Sequence, residues 1–130
     1  MPRFDSGSKE SVDYLESEGY VIIKNALTAE EASKTLDLLW DYLENLGTGI
    51  DRANPMTWSD DKWPTCAHGG IIPSYGIGHS EAQWFVRGVP NVKKAFAKVW
   101  ETDDLLTSFD GVSLWRPWNI DPSWKTQSGQ

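Results

Sequence analysis

His79-Ser80-Glu81 places a histidine and a carboxylate two positions apart, and His68 precedes them. Two neutral imidazoles and one carboxylate form the ligand set of a facial iron(II) site, which leaves coordination positions open for substrate. Short patterns of this kind carry a high false-positive rate, and with only two histidines in the chain any such set is found by default. The plainer reading makes His79 a polar cap or loop contact ahead of Glu81, and His68 a turn residue beside Gly69-Gly70. No metal ligand follows from these residues alone; His68, His79 and Glu81 are a set that only geometry could join.

Other residue types allow binding rather than catalysis. Arg87 and Arg116 can each grip a carboxylate of a substrate or co-substrate through two parallel N–H donors, although pairing with the chain's many acids is the more ordinary use. Asp110 stands before Gly111 and is a turn or bulge residue first, a site residue second. Trp115, Trp118 and Trp124 offer aromatic faces for a flat or sugar-like ligand, while clustered tryptophans near strand ends more often serve packing. Cys66 has only Lys62 and His68 as basic neighbours and reads as structural, not as a nucleophile.

These residues need elements to position them. Ser8 can cap a short helix over Lys9 to Glu18 with Val12 and Leu15 inward, and Gly19 ends it. Tyr20 to Ile23 is a β-branched and aromatic run that predicts a strand. Thr28 and Glu31 have the spacing of a capping box. Behind them Ala32, Leu36, Leu39, Leu43 and Leu46 form an apolar stripe that predicts a long helix, closed by Gly47 in a left-handed conformation. From Thr48 to Gly78 prolines and glycines break every period, and so long an irregular stretch is more often functional than idle. Regularity returns at Glu81. Val89-Pro90 opens a further helix with Val92, Ala95, Phe96, Val99 and Trp100 on one face and Lys93, Lys94 and Lys98 on a solvated one. Leu105 to Trp115 predicts a strand interrupted at Asp110-Gly111, and Arg116 to Gln130 reads as loop. Residues 1–7 are polar and predicted to fray.

At 130 residues the chain is one domain or a piece of one, long enough to bury an ordinary core. Its net charge of −7 argues against nucleic-acid or anionic-membrane partners, which need clustered Lys and Arg. One cysteine allows no internal disulfide and fits a reducing compartment. With neither a leader pattern nor a spanning apolar run, the expectation is a cytoplasmic chain. Six of the eight tryptophans lie outside the two clear helices, so the irregular segments must pack on something.

The order of pieces resembles the N-terminal part of the phytanoyl-CoA dioxygenase-like family of iron(II)- and 2-oxoglutarate-dependent oxygenases. The resemblance is carried by Gly19-Tyr20-Val21-Ile22-Ile23 followed by Leu27-Thr28-x-Glu30-Glu31, then by Trp84-x-x-Arg87-x-x-Pro90-x-Val92, Phe96-x-x-Val99-Trp100 and Leu105-Leu106-x-Ser108-Phe109-Asp110-Gly111. It covers the chain from about Val12 to Trp124. It implies an α+β architecture: helices packed on a small, mainly antiparallel sheet, the incomplete start of a double-stranded β-helix. It also implies Fe(II) and 2-oxoglutarate as cofactors of the full-length protein, with a small or lipid-like organic molecule as substrate. The family holds iron with His-x-Asp/Glu on a barrel strand and a distant second His. Here His68 precedes the pair instead, and the chain stops at Gln130, before the position where the resemblance puts His-x-Asp.

The resulting expectation is an N-terminal portion of such an oxygenase, with no cofactor bound and no activity alone. Arg87, Asp110, Arg116 and Trp118 are then candidates on the substrate or co-substrate side, and the 48–78 loop could help shape a substrate entrance. Two other readings stay open. One is a non-catalytic, tryptophan-rich module for a ligand or partner. The other is a fragment that self-associates through exposed sheet edges.

Overall fold

Ser8 accepts the Ser11 N–H on its hydroxyl and starts α1 (Lys9–Glu18), which Gly19 closes at φ 78° with its N–H on the Leu15 carbonyl. In this computed structural model, which describes residues 1–64, Cys66 and 70–125, the second helix begins as its spacing predicts. The Thr28 N–H donates to the Glu31 carboxylate at 2.8 Å, and the Glu31 N–H donates to the Thr28 hydroxyl at 3.1 Å. Two orphan donors of the first turn are satisfied reciprocally. α2 runs Ala29–Asn45 and Gly47 follows at φ 72°. α3 (Glu81–Gly88) and α4 (Pro90–Trp100) meet at Val89, which sends Pro90 into the first turn, where its missing N–H costs nothing.

The only sheet among the described residues is two short antiparallel strands, β1 (Ile71–Ile72) and β2 (Val112–Ser113), with Ile71 opposite Ser113 and Ile72 opposite Val112. Among the described residues the architecture is α+β: four α-helices and a two-stranded antiparallel sheet.

Both predicted strands come out shorter than their sequences suggest, for local reasons. Of Tyr20 to Ile23, only Ile23 pairs, in a single parallel bridge to Phe4. Asn25 turns the chain at φ 49° directly afterwards, before a ladder can extend. Of Leu105 to Trp115 only Val112–Ser113 is strand. Pro73 follows β1 and has no N–H to offer. Beyond the strands the Leu114 N–H donates to the Gly70 carbonyl and extends the pairing. Leu106, in the unpaired part, is fully exposed. Within residues 1–7, three residues are tied to later parts of the chain. Phe4 donates to the Ile22 carbonyl and accepts from Lys24, Asp5 pairs with Lys24, and the Ser6 hydroxyl donates to the Asn91 carbonyl.

The chain divides into two compact units, Met1–Leu36 with Trp84–Ser108, and Asp37–Gln83 with Phe109–Gln130. The first holds an aromatic cluster in which Tyr14 lies 5.0 Å from Phe4 and 5.7 Å from Tyr20, ring to ring. The second holds the main apolar cluster of Leu43, Ile50, Trp58 and Trp63, with Trp40, Leu114 and Trp124 packed against it. Trp40 lies 4.9 Å from Trp58 and 6.4 Å, edge-on, from Trp63.

The irregular 48–78 stretch supplies five of the eight buried apolar side chains among the described residues: Ile50, Trp58, Trp63, Ile72 and Ile77. Its backbone is held by side chains. The Asp51 N–H donates to the Thr57 hydroxyl and the Ala53 N–H to the Asp51 carboxylate, while the Trp58 indole N–H donates to the Asp51 carbonyl. These local bonds replace the ladders that regular structure would provide.

Candidate functional site

In the second unit Arg116 organises a hollow of about 250 Å³ whose walls include Asp60, Trp63, Cys66, Trp115, Trp124 and Lys125. Trp58 and Trp63 come from the irregular stretch, and Arg116 from the segment leaving β2. The Arg116 guanidinium donates to the Trp58 carbonyl at 2.7 Å and to the Asp60 carboxylate at 2.6 Å. It also lies over the Trp63 ring at 5.5 Å and the Trp124 ring at 4.9 Å. Only 15% of this side chain is exposed, whereas Asp60 is 83% exposed. A planar cation between aromatic faces, bonded to the backbone of a buried tryptophan, acts first as a clamp.

Cys66 lies in the same wall. Its thiol donates to the Pro64 carbonyl at 3.3 Å, and burial pushes its pKa up against the opposing pull of Arg116. A thiol held neutral is a poor nucleophile.

Each of the other candidates has its own local contacts. Asp110 accepts the Gly111 N–H at 2.8 Å, and Gly111 passes so close to β1 that a Cβ there would lie 2.6 Å from the Ile72 carbonyl oxygen. Trp118 is exposed, with the Lys125 ammonium 5.2 Å over its ring. Of the three tryptophans read as a stacking platform, Trp124 is drawn into the core cluster while Trp115 and Trp118 stay exposed. Arg87 belongs to the first unit and lies 5.5 Å over the Trp84 ring. There it lines a groove of about 610 Å³ with Val92, Phe96, Trp100 and Leu106.

His79 ends a single 3-10 turn (Ile77–His79) and stacks on Phe109, centroids 4.3 Å apart and planes at 25°. Glu81 is the exposed first residue of α3, and His68 lies outside the described residues. Among the described residues no three of His, Cys, Asp or Glu converge in a way that could hold a metal ion. The donor set for iron therefore cannot be assembled from the described residues.

One charged constellation was missed by sequence reasoning. Asp37, Asp41 and Glu44, successive along one side of α2, all pair with Arg52. The Arg52 backbone N–H also donates to Glu44 at 2.8 Å. Hydrogen bonds from Arg52 hold the Glu44 carboxyl below its usual range. The signal was the i, i+4, i+7 spacing of acids on the helix face; the position of the cation that answers them is set by the loop.

No family model and no solved structure matches the chain. Two curated proteins do. One is "Ava biosynthesis cluster protein O" of Aspergillus versicolor, 38% identical over 112 residues, covering 86% of this chain and 36% of that protein. The other is a Dictyostelium discoideum protein named "Putative phytanoyl-CoA dioxygenase", 29% identical over 119 residues, covering 88% of this chain and 33% of that protein. The chain spans about a third of the length of these relatives.

Proposed function

Since the chain is related to phytanoyl-CoA dioxygenase-like proteins over part of their length, we propose that it is the N-terminal part of an Fe(II)- and 2-oxoglutarate-dependent dioxygenase, acting on a small or lipid-like organic substrate. The observation that carries this reading is the pairing of two coverages: most of this chain aligns, yet only about a third of each relative does. In this reading the helices support a double-stranded β-helix formed mainly by sequence that this chain does not contain. The iron triad belongs to that sequence, so the chain alone does not turn over, and the parent works in the cytoplasm.

The test is turnover. The purified chain, supplied with Fe(II), 2-oxoglutarate and dioxygen, should release no succinate above a metal-free control. Iron-dependent succinate release would overturn the claim that it is inactive alone.

A second reading is a ligand-binding module without catalysis. It is favoured by the hollow beside Arg116 and by the exposed Trp115 and Trp118. Quenching of tryptophan fluorescence by a ligand in the absence of metal would support it; a flat response would remove it.

A further inference from the structure

The hollow beside Arg116 has more donors on its walls than the chain has acceptors to meet them. Arg116 carries five N–H donors, and two are engaged, one by the Trp58 carbonyl and one by Asp60. Lys125, in the same wall, forms no ion pair among the described residues; its ammonium rests over the Trp118 ring. The Trp63 indole N–H is buried and bonded to no acceptor among them. It lies near enough to the Cys66 thiol to pull the thiol's pKa down, but outside hydrogen-bond geometry. Its dipole adds to the positive potential of that wall.

Acids do not balance these groups. Asp60 is the one carboxylate on the described walls, and it is largely exposed. Asp121, close enough to Arg116 to feel its charge, accepts from the Ser123 N–H at 2.9 Å and from the Ser123 hydroxyl at 2.7 Å. Burial works to keep the Cys66 thiol neutral. Arg116 and Lys125 against Asp60 leave one positive charge on the walls, which a monoanion answers. The remaining walls are flat and apolar: Trp63, Trp115, Trp124 and Leu114. Gly70 admits the Trp115 indole, since a Cβ there would lie 2.6 Å from its Nε1. At about 250 Å³ the hollow is smaller than the roughly 300–1,000 Å³ of drug-sized sites, with room for one ring and little more.

We infer that this hollow binds a small aromatic monocarboxylate, its ring among the tryptophans and its carboxylate on Lys125 and the uncommitted N–H donors of Arg116. Neither hydrogen bond that Arg116 already makes has to break. The planar guanidinium matches a carboxylate, whereas the second charge of a phosphate would meet Asp60. The inference rests on the ligand-binding reading of this hollow and names its ligand class; it requires no metal.

Tryptophan fluorescence of the full chain, titrated without metal by benzoate, benzamide and acetate, tests it. Benzoate should quench saturably. Benzamide keeps the ring without the charge and acetate the charge without the ring, so each should bind about tenfold more weakly. Lys125→Gln and Asp60→Asn alter exposed side chains, and unchanged tryptophan emission before titration would show that both fold. Lys125→Gln should weaken benzoate about threefold, and Asp60→Asn should strengthen it about threefold by removing the acid that competes for Arg116. Neither should alter benzamide binding. Benzamide binding as tightly as benzoate, benzoate indifferent to Lys125→Gln, or weaker benzoate binding in Asp60→Asn would overturn the carboxylate assignment while a ligand-binding module still stood. No saturable response to any of the three probes would remove both.

Discussion

Arg116→Met removes the guanidinium while keeping an aliphatic body between the tryptophans. The wild-type group donates a charge-assisted hydrogen bond to the carbonyl of buried Trp58. Bonds of that kind are worth about 1.5–3 kcal/mol, and their loss leaves a buried acceptor unsatisfied. The faces of Trp63 and Trp124 add about 0.5–1 kcal/mol each for a partly shielded cation. The pair with exposed Asp60 adds at most about 1 kcal/mol, because solvent screens it. Groups sharing one cation do not add fully, so the expected loss is about 3 kcal/mol. Urea unfolding followed by tryptophan fluorescence reads it as a drop in midpoint with an unchanged slope. Asp60→Asn, the control, should cost under about 1 kcal/mol. The clamp reasoning is refuted if Arg116→Met costs less than Asp60→Asn, or if both are silent.

Three further outcomes follow from other parts of the chain. Gly111→Ala would set a Cβ 2.6 Å from the Ile72 carbonyl oxygen, backbone that cannot step aside, and should lose about 2–3 kcal/mol in the same unfolding assay. Glu44 has its pKa lowered by Arg52, so its stabilising contribution is fully present above its ordinary value of 4.5 and is lost as pH falls through the depressed folded value. Acid titration of stability should therefore be flat for this group down to that region and then decline, and Arg52→Gln should remove that part of the decline. The Tyr14 hydroxyl, hydrogen-bonded to Tyr20 at 3.2 Å, is pushed up to about 12, and Tyr20→Phe should return its phenolate absorbance titration toward the usual 10.0.

Helix caps were the most legible features. Ser8, Gly19, the Thr28–Glu31 pair and Pro90 each act within a few residues of themselves, so spacing alone locates them. Strands were legible only as propensity. Whether Tyr20 to Ile23 pairs over four residues or one depends on Phe4 and on the turn at Asn25, and β2 is limited by Pro73 on a distant segment. The apolar faces illustrate the same divide. The period of α4 marks an apolar face, but period does not say what covers it: Phe96 and Trp100 remain exposed, and Lys93, read as solvated on the other side, lines the same groove. At the candidate site Arg116 could be singled out by type; its enclosure by Trp58, Trp63 and Trp124 could not, because three separated segments build it. Arg52 was invisible for the same reason.

The oxygenase reading is tested most directly by reading the encoding transcript past the codon for Gln130. The prediction is an in-frame continuation with His-x-Asp within the next few codons and a second His much later. A stop codon directly after Gln130 in the native transcript would contradict the assignment to a longer, iron-dependent oxygenase.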